Sequence, residues 1–353
     1  MKLSVAVVFA LALGACSRGA SGTSSAASAE AGADAARPSV DLARYREEAG
    51  VPAIACAAVT AAGSTLELAS GVDADAPMQA ASIGKPVIAI AVMQLVEERK
   101  LDLDADVSSA VGFSVKHPRR PGAITLRALL AHKASIVDRP ATVGRARDVP
   151  LSDFVKGELA SEASWSDAAP GAAYRYSNVG AALAAVAVER ASGVPYDRRV
   201  AERVFRPLGM SRTSFDGAGA APPHRREGAR FVALPQASHA VYPTVDMRST
   251  ARDLARLARA ILGGGELDGV RVLGAESLGV LLDGELGFQR RTLGGRAVLG
   301  HEGEDAGAST GLYVDRARGV GALVLANGDA FASGDPARAR AIERLLAELL
   351  AAR

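Results

Sequence analysis

From Val87 to Val96 the chain carries one polar side chain, Gln94, and reads apolar almost all round. Such a segment predicts a helix buried inside a core, so the rest of the fold must wrap around it. Glu97-Glu98-Arg99-Lys100 returns the chain to water. Immediately before the run stand Ala81-Ser82-Ile83-Gly84-Lys85-Pro86. Ser82 falls where the helix starts and Lys85 one turn later, so both side chains share a face. A serine hydroxyl needs a base before it becomes a nucleophile. A lysine in apolar surroundings, beside the positive end of a helix dipole, can lose its proton and act as that base. The chain has six lysines, and only Lys85 has a serine three residues before it. Arginine stays protonated at any working pH and cannot take this part. The plain alternative is a polar helix start with a solvated lysine.

With 353 residues, 49% of them hydrophobic, the chain can bury a large core as one domain or two interlocked ones. A net charge of +2, no basic stripe and 4% aromatic residues speak against a nucleic-acid partner. Residues 1–16 read as a signal peptide: Lys2 supplies the positive start, Leu3 to Leu13 an apolar run too short to span a bilayer, and Gly14-Ala15 small residues at a cut site. Leu13-Gly14-Ala15-Cys16 resembles the bacterial lipoprotein box, which implies acylation of Cys16, export, and a membrane-anchored place in the cell envelope. Ordinary secretion is the alternative. Cys56 is the other cysteine, so a lipidated Cys16 leaves no disulfide within the chain; Cys56 lies in an apolar run and reads as inert core.

Residues 17–38, rich in Ala, Ser and Gly, read as a flexible tether. Ser39 is expected to cap a first helix with Leu42 and Tyr45 on one face and Gly50 as its stop. Val51 to Thr60 and Ser64 to Ser70 predict a hairpin. Thr125 should cap a short helix to Ala131; further helices are expected near Ser152 to Leu159, over Val179 to Ala191, and from Pro195 to Phe205. Residues 216–240 read as loop. Thr250 with Asp253 has the form of a capping box before Leu254 to Leu262. From Gly287 the pattern turns strand-like, at Arg296 to Gly300, Ser309 to Val314 and Val320 to Leu325, and Asp335-Pro336 opens a last amphipathic helix. Strands at both ends with helices between them predict an α+β fold: an antiparallel sheet built from the two terminal segments, flanked by helices, with a large mainly helical insertion. The α/β part should cover about 39–81 and 285–353, the helical part about 82–284.

Tyr176-Ser177-Asn178 follows a Pro-Gly turn and opens a helix. A phenol there can relay a proton, and an amide can hold a substrate. The chain has only two asparagines and six tyrosines. Gly300-His301-Glu302-Gly303 ends an expected strand, where glycine permits close approach and a backbone N–H can meet a developing oxyanion.

Together Ser82-Ile83-Gly84-Lys85, Tyr176-Ser177-Asn178 and His301-Glu302-Gly303 resemble the Ser-x-x-Lys, Tyr-x-Asn and Lys/His-x-Gly motifs of the serine β-lactamase and penicillin-binding-protein superfamily, on its class C β-lactamase-like side. A related motif set is known for class A enzymes. Ile124 to His132, Pro207 to Met210 and Ser249 to Ala255 are similar to flanking stretches of the family. The chain departs from it at Lys133-Ala134-Ser135-Ile136, where Thr-Ser-Gly-Leu is frequent, and at Val245-Asp246-Met247-Arg248, where a Gly-Gly is usual. These departures bear on substrate identity rather than on chemistry.

The resemblance implies acyl transfer: Ser82 attacks a carbonyl, Lys85 and Tyr176 handle the proton, Asn178 orients substrate, and the N–H groups of Ser82 and Glu304 receive the oxyanion. No metal or cofactor is called for. The substrate would be a small molecule or a peptidoglycan-derived peptide: an ester, an amide, a D-amino-acid peptide or a β-lactam. His301, where efficient β-lactamases usually have lysine, offers little charge to a carboxylate and is expected only to donate a hydrogen bond. An esterase or peptidase is therefore expected rather than an efficient β-lactamase, with an inactive binding or regulatory homologue as the alternative. Gly307-Ala308-Ser309-Thr310-Gly311 matches the nucleophile elbow of α/β-hydrolases, but no histidine follows His301 to complete a triad.

Overall fold

The computed structural model describes residues 40–352. In chain order the first elements are α1 (Leu42–Ala49), the hairpin β1 (Ile54–Thr60) and β2 (Ser64–Ser70), the short β3 (Met78–Gln79) and a 3₁₀ turn, Ala81–Ile83, that runs into α2 (Gly84–Glu97). The middle of the chain holds α3 (Val107–Val111), α4 (Leu126–Leu130), α5 (Leu151–Leu159), α6 (Asn178–Ser192) and α7 (Tyr196–Val200). The hairpin β4 (His224–Glu227) and β5 (Arg230–Ala233), then α8 (Tyr242–Val245), β6 (Arg248–Ser249) and α9 (Ala251–Leu262) follow. The hairpin β7 (Glu266–Leu267) and β8 (Val270–Arg271), α10 (Ala275–Asp283), β9 (Gln289–Leu293), β10 (Arg296–Asp305), β11 (Ala308–Asp315), β12 (Val320–Ala326) and α11 (Pro336–Ala351) complete it.

Six strands form an antiparallel sheet in the order β2-β1-β12-β11-β10-β9, so both terminal segments meet at its centre. Ile54 pairs with Ala326 and Thr60 with Val320. The architecture is the expected α+β one. Period-two alternation splits the sheet's side chains between two cores. Ala55, Ala57, Val59, Leu323 and Leu325 face the large core that contains α2, α6 and α9. Ile54, Cys56, Ala58, Val324 and Tyr313 face α1 and α11. Cys56 is fully buried there, and that burial pushes its thiol up to about 12, which makes it unreactive.

The helix α2 is buried from Gly84 to Leu95. Its one polar side chain in the apolar run, Gln94, donates to the carbonyls of Arg203 and Val272 at 2.9 and 2.8 Å, which makes its burial tolerable. Removing one large side chain from such a position, as in Ile88→Ala, costs about 2–5 kcal/mol.

Three local expectations need correction. The cap of α1 is Asp41, whose carboxylate accepts from Arg44 N at 3.0 Å; Ser39 lies outside the described residues, as do the signal peptide, Cys16 and the tether. The stretch 216–240 contains the β4–β5 hairpin, concealed because its two four-residue strands are almost wholly exposed and no buried alternation marks them. Thr250 caps α9 as expected, but Asp253 does not reach back to complete the box. Its carboxylate accepts instead from Arg212 N and Thr213 Oγ1, both at 2.8 Å.

Beyond the Gly300–Gln289 pair, β10 runs on without a β9 partner. Its His301–Asp305 stretch is thus a free sheet edge, and the 3₁₀ turn carrying Ser82 packs against it. Gly303 makes this approach possible: a Cβ there would lie 2.6 Å from the Ala80 carbonyl oxygen and 3.1 Å from Ala81 Cβ.

Candidate active site

Ser82 sits in the 3₁₀ turn rather than capping α2 with its side chain. The preceding Ala81 has φ +49°, a left-handed conformation that costs a non-glycine residue about 1–3 kcal/mol and is held by the surrounding packing. Lys85 lies in the first turn of α2, 1% exposed, with Nζ 2.8 Å from Ser82 Oγ. Nζ also reaches Asn178 Oδ1 at 2.8 Å and the Thr244 carbonyl oxygen at 3.2 Å. Burial pushes the Lys85 amine down to about 7, although the charges of Asp138 and Asp305 pull the other way.

On the far side of Ser82 Oγ stands the Tyr176 hydroxyl, 2.8 Å away. Burial raises its phenol well above the ordinary value, so it remains protonated. The Tyr176 ring lies against His132, 4.5 Å between centroids. His132 accepts Ser177 N–H on Nδ1 at 3.2 Å, and burial, aided by the Lys85 charge, pushes it down to about 3.

Asp138 organises the start of α6. Its carboxylate accepts from Ser177 Oγ at 2.8 Å, from Asn178 N and Nδ2 at 2.8 and 2.9 Å, and from Val179 N at 3.0 Å. Four donors and a helix N-terminus hold one anion there. Asn178 is consequently locked at both ends, by Lys85 through Oδ1 and by Asp138 through Nδ2. One Nδ2 hydrogen is left for another partner. Nothing in the sequence pointed to Asp138, which lies in an unpatterned stretch, or to the carbonyl of Thr244.

The third wall is the β10 edge. His301 is 2% exposed, and its Nδ1 faces the Glu302 carbonyl oxygen. A carbonyl only accepts, so Nδ1 carries the proton and Nε2 presents a lone pair. Nε2 is buried and has no partner among the described residues. Burial, with the nearby Lys85 charge, holds His301 well below its ordinary value. His301 is thus a neutral ring that donates through Nδ1 to the Glu302 carbonyl and can accept through Nε2. A cavity of about 370 Å³ opens onto Ser82, between Val143, Tyr176, Val245, His301 and Glu304. Neither lysine nor arginine is among the described residues that line it. A groove of about 630 Å³ adjoins it, sharing Tyr174, Gln289 and Glu302.

Ser309 is no competitor. It is fully buried in β11, with Oγ donating to the Gly328 carbonyl and accepting from Ala330 and Phe331 N–H.

An antiparallel sheet with helices on both faces, and Ser82, Lys85 and Tyr176 joined at its free edge, define a protein of the serine β-lactamase and transpeptidase superfamily. The family model for Beta-lactamase matches residues 41–347, and the chain belongs to that family. It is 29% identical to penicillin-binding protein 4 of Amycolatopsis lactamdurans over 322 residues, 80% of this chain and 82% of that one. In fold it is similar to an octameric penicillin-binding protein homologue from Pyrococcus abyssi (TM-score 0.73, 20% identity, 88% of this chain and 76% of that one). It is also similar to a D-stereospecific amidohydrolase from Streptomyces (TM-score 0.69, 24% identity, 86% and 98%).

Proposed function

We propose that the protein is a serine hydrolase that works through an acyl-enzyme on Ser82, with Lys85 as the base. The observation that carries this reading is the set of partners around Lys85 Nζ. A neutral amine has two N–H donors and one lone pair. Two acceptors, Asn178 Oδ1 and Thr244 O, and one hydroxyl, Ser82, surround it. In that arrangement the lone pair faces the Ser82 proton.

Lys85 takes this proton as Ser82 Oγ forms a bond to the substrate carbonyl carbon, and the oxyanion turns to the N–H groups of Ser82 and Glu304. The leaving group departs with a proton from the Tyr176 hydroxyl, and the Lys85 ammonium, 4.8 Å from the centre of the Tyr176 ring, gives its proton back to the phenolate oxygen. Water then attacks the ester carbon; its proton passes back through the same groups, and Ser82 is restored.

The substrate is an uncharged or amine-bearing ester or amide rather than a β-lactam with its carboxylate. A neutral His301 and the absence of lysine and arginine from the cavity lining leave a carboxylate beside Ser82 without a cation, while Glu302 and Glu304 line the same cavity; the cations Lys133, Arg290 and Arg291 line the adjoining groove. The names of similar folds, among them a D-amino acid amidase from Ochrobactrum anthropi, fit amide cleavage. Intact-mass spectrometry after incubation with a fluorophosphonate tests the mechanism. One adduct on Ser82 is expected, lost in Ser82→Ala together with several orders of magnitude in turnover. A protein that takes no label, or a label that survives the substitution, refutes it.

We also propose that the protein stands in the bacterial cell envelope, held by lipid on Cys16; the resemblance of Leu13-Gly14-Ala15-Cys16 to the lipoprotein box supports this. Among the described residues no helix is long and apolar enough to cross a membrane. Cys16→Ser should move the protein to the soluble fraction, and an unmodified Cys16 in wild type would rule the anchor out.

A further inference from the structure

The turn at α8 serves the site twice. The Thr244 carbonyl accepts from Lys85 Nζ, and the Val245 side chain lines the cavity. A four-residue helix with no side-chain cap does not hold its own shape, so its position must come from elsewhere.

It comes from a buried polar cluster behind the turn. Asp246 is 0% exposed. Its carboxylate accepts His239 N–H at 2.6 Å and the His239 ring Nδ1–H at 2.5 Å. The Arg248 guanidinium lies 3.7 Å from the same carboxylate, donates to the Asp246 carbonyl, and reaches the Ala237 carbonyl at 2.7 Å. The two ends of the 237–248 loop are therefore clasped together, with Thr244 at the far side. The Gln79 amide carries the cluster on to β10, donating to the Val245 carbonyl at 3.3 Å and to Asp305. His239 and Arg248 face Asp246, Asp305 also acts on His239, and Asp216 faces Arg248; burial raises Asp305. Burial works against the His239 charge, but the bond and charge of Asp246 outweigh it, and its value is raised.

We propose that His239 and Asp246 are positioning residues for the acylation site: their hydrogen-bonded pair clamps the Tyr242–Val245 turn so that the Thr244 carbonyl stays on Lys85 Nζ. The proposal rests on the reading of Lys85 as the base. Neither residue touches the cavity; both act through Thr244. Releasing the carbonyl removes one of two acceptors that orient the amine, and one that favours its protonated form.

The test uses the full chain with Asp246→Ala, Asp246→Asn and His239→Asn, a neutral p-nitrophenyl ester, and ¹³C NMR titration of Lys85, practical with six lysines. Asp246→Ala should lower kcat about tenfold with KM within about twofold, and move the Lys85 titration to lower pH. Asp246→Asn keeps an oxygen for the His239 N–H and should recover most of the kcat. Should Asp246→Ala fail to fold, a lower Lys85 titration in His239→Asn supports the clamp and an unmoved one overturns it. The proposal is also overturned if folded variants keep kcat within twofold and an unmoved Lys85 titration, or if kcat, KM and thermal midpoint fall together while Lys85 titrates as in wild type. If wild type is not acylated at all, the proposed function falls, and the titration alone decides the positioning role.

Discussion

Lys85→Met replaces the buried amine by an apolar chain of similar length. Its effect on stability should depend on pH in a way that isolates the lysine. In the unfolded chain the amine titrates at its ordinary value of 10.5; in the fold burial brings it to about 7. Between these values the unfolded chain binds more protons than the native one, so Lys85 makes wild type gain stability as pH rises. The cost of Lys85 is fully present below pH 7 and vanishes as pH passes 10.5. Linkage puts the gain between pH 6 and pH 9 at about 2.5 kcal/mol. The variant also leaves Asn178 Oδ1, Thr244 O and Ser82 Oγ without their partner, but those losses are largely independent of pH and cancel in the slope. Urea unfolding of both proteins at pH 6, 7, 8 and 9 provides the measurement. Wild type should gain on Lys85→Met across the series, while kcat/KM of wild type rises about tenfold per pH unit below 7 and levels off above 8. A stability difference flat to within about 0.5 kcal/mol would mean that Lys85 keeps its ordinary value and stays charged at neutral pH, and the base assignment would fail with it.

His301→Lys should raise kcat/KM on a penicillin relative to a neutral p-nitrophenyl ester by about ten- to a hundredfold, the value of one charge-assisted bond to a carboxylate. Efficient penicillin turnover by wild type, or no relative gain in the variant, would contradict a neutral His301. Gly303→Ala brings a Cβ within 2.2 Å of Thr310 Oγ1 and 2.6 Å of the Ala80 carbonyl oxygen. It should cost about 1–3 kcal/mol in urea unfolding and, by pushing β10 off the Ser82 turn, depress kcat; a variant with wild-type stability and rate would show that this approach is not required.

Much of the site's parts was legible because it rests on short-range periodicity. The apolar run after Ser82 could only be a buried helix, and a spacing of three placed Lys85 on the serine's face. The Pro-Gly turn and the helix pattern put Tyr176 and Asn178 at one end of α6. The strands at the two ends of the chain announced themselves as short runs bounded by glycine or charged turns, and the buried Cys56 by its apolar neighbours. The β4–β5 hairpin escaped because its strands are four residues each and almost wholly exposed, so no buried face alternates along them.

Other features exist only once distant segments meet. Lys85 bonds to Asn178 across 93 residues and to Thr244 across 159, and no local pattern encodes either contact. Asp138 is one acidic residue among 39 until the fold brings four donors to it. A lysine and a histidine have ordinary titrations in the sequence; the low value of Lys85 and the neutrality of His301 arise from removal of water, which is a property of the packed interior. The sequence by itself determined which groups could react and on which elements they stand, because helix and strand periods are set by the backbone. The tertiary structure decided their protonation, their partners and the shape of the cavity, because solvent exclusion and long-range contacts are made only when the whole chain closes.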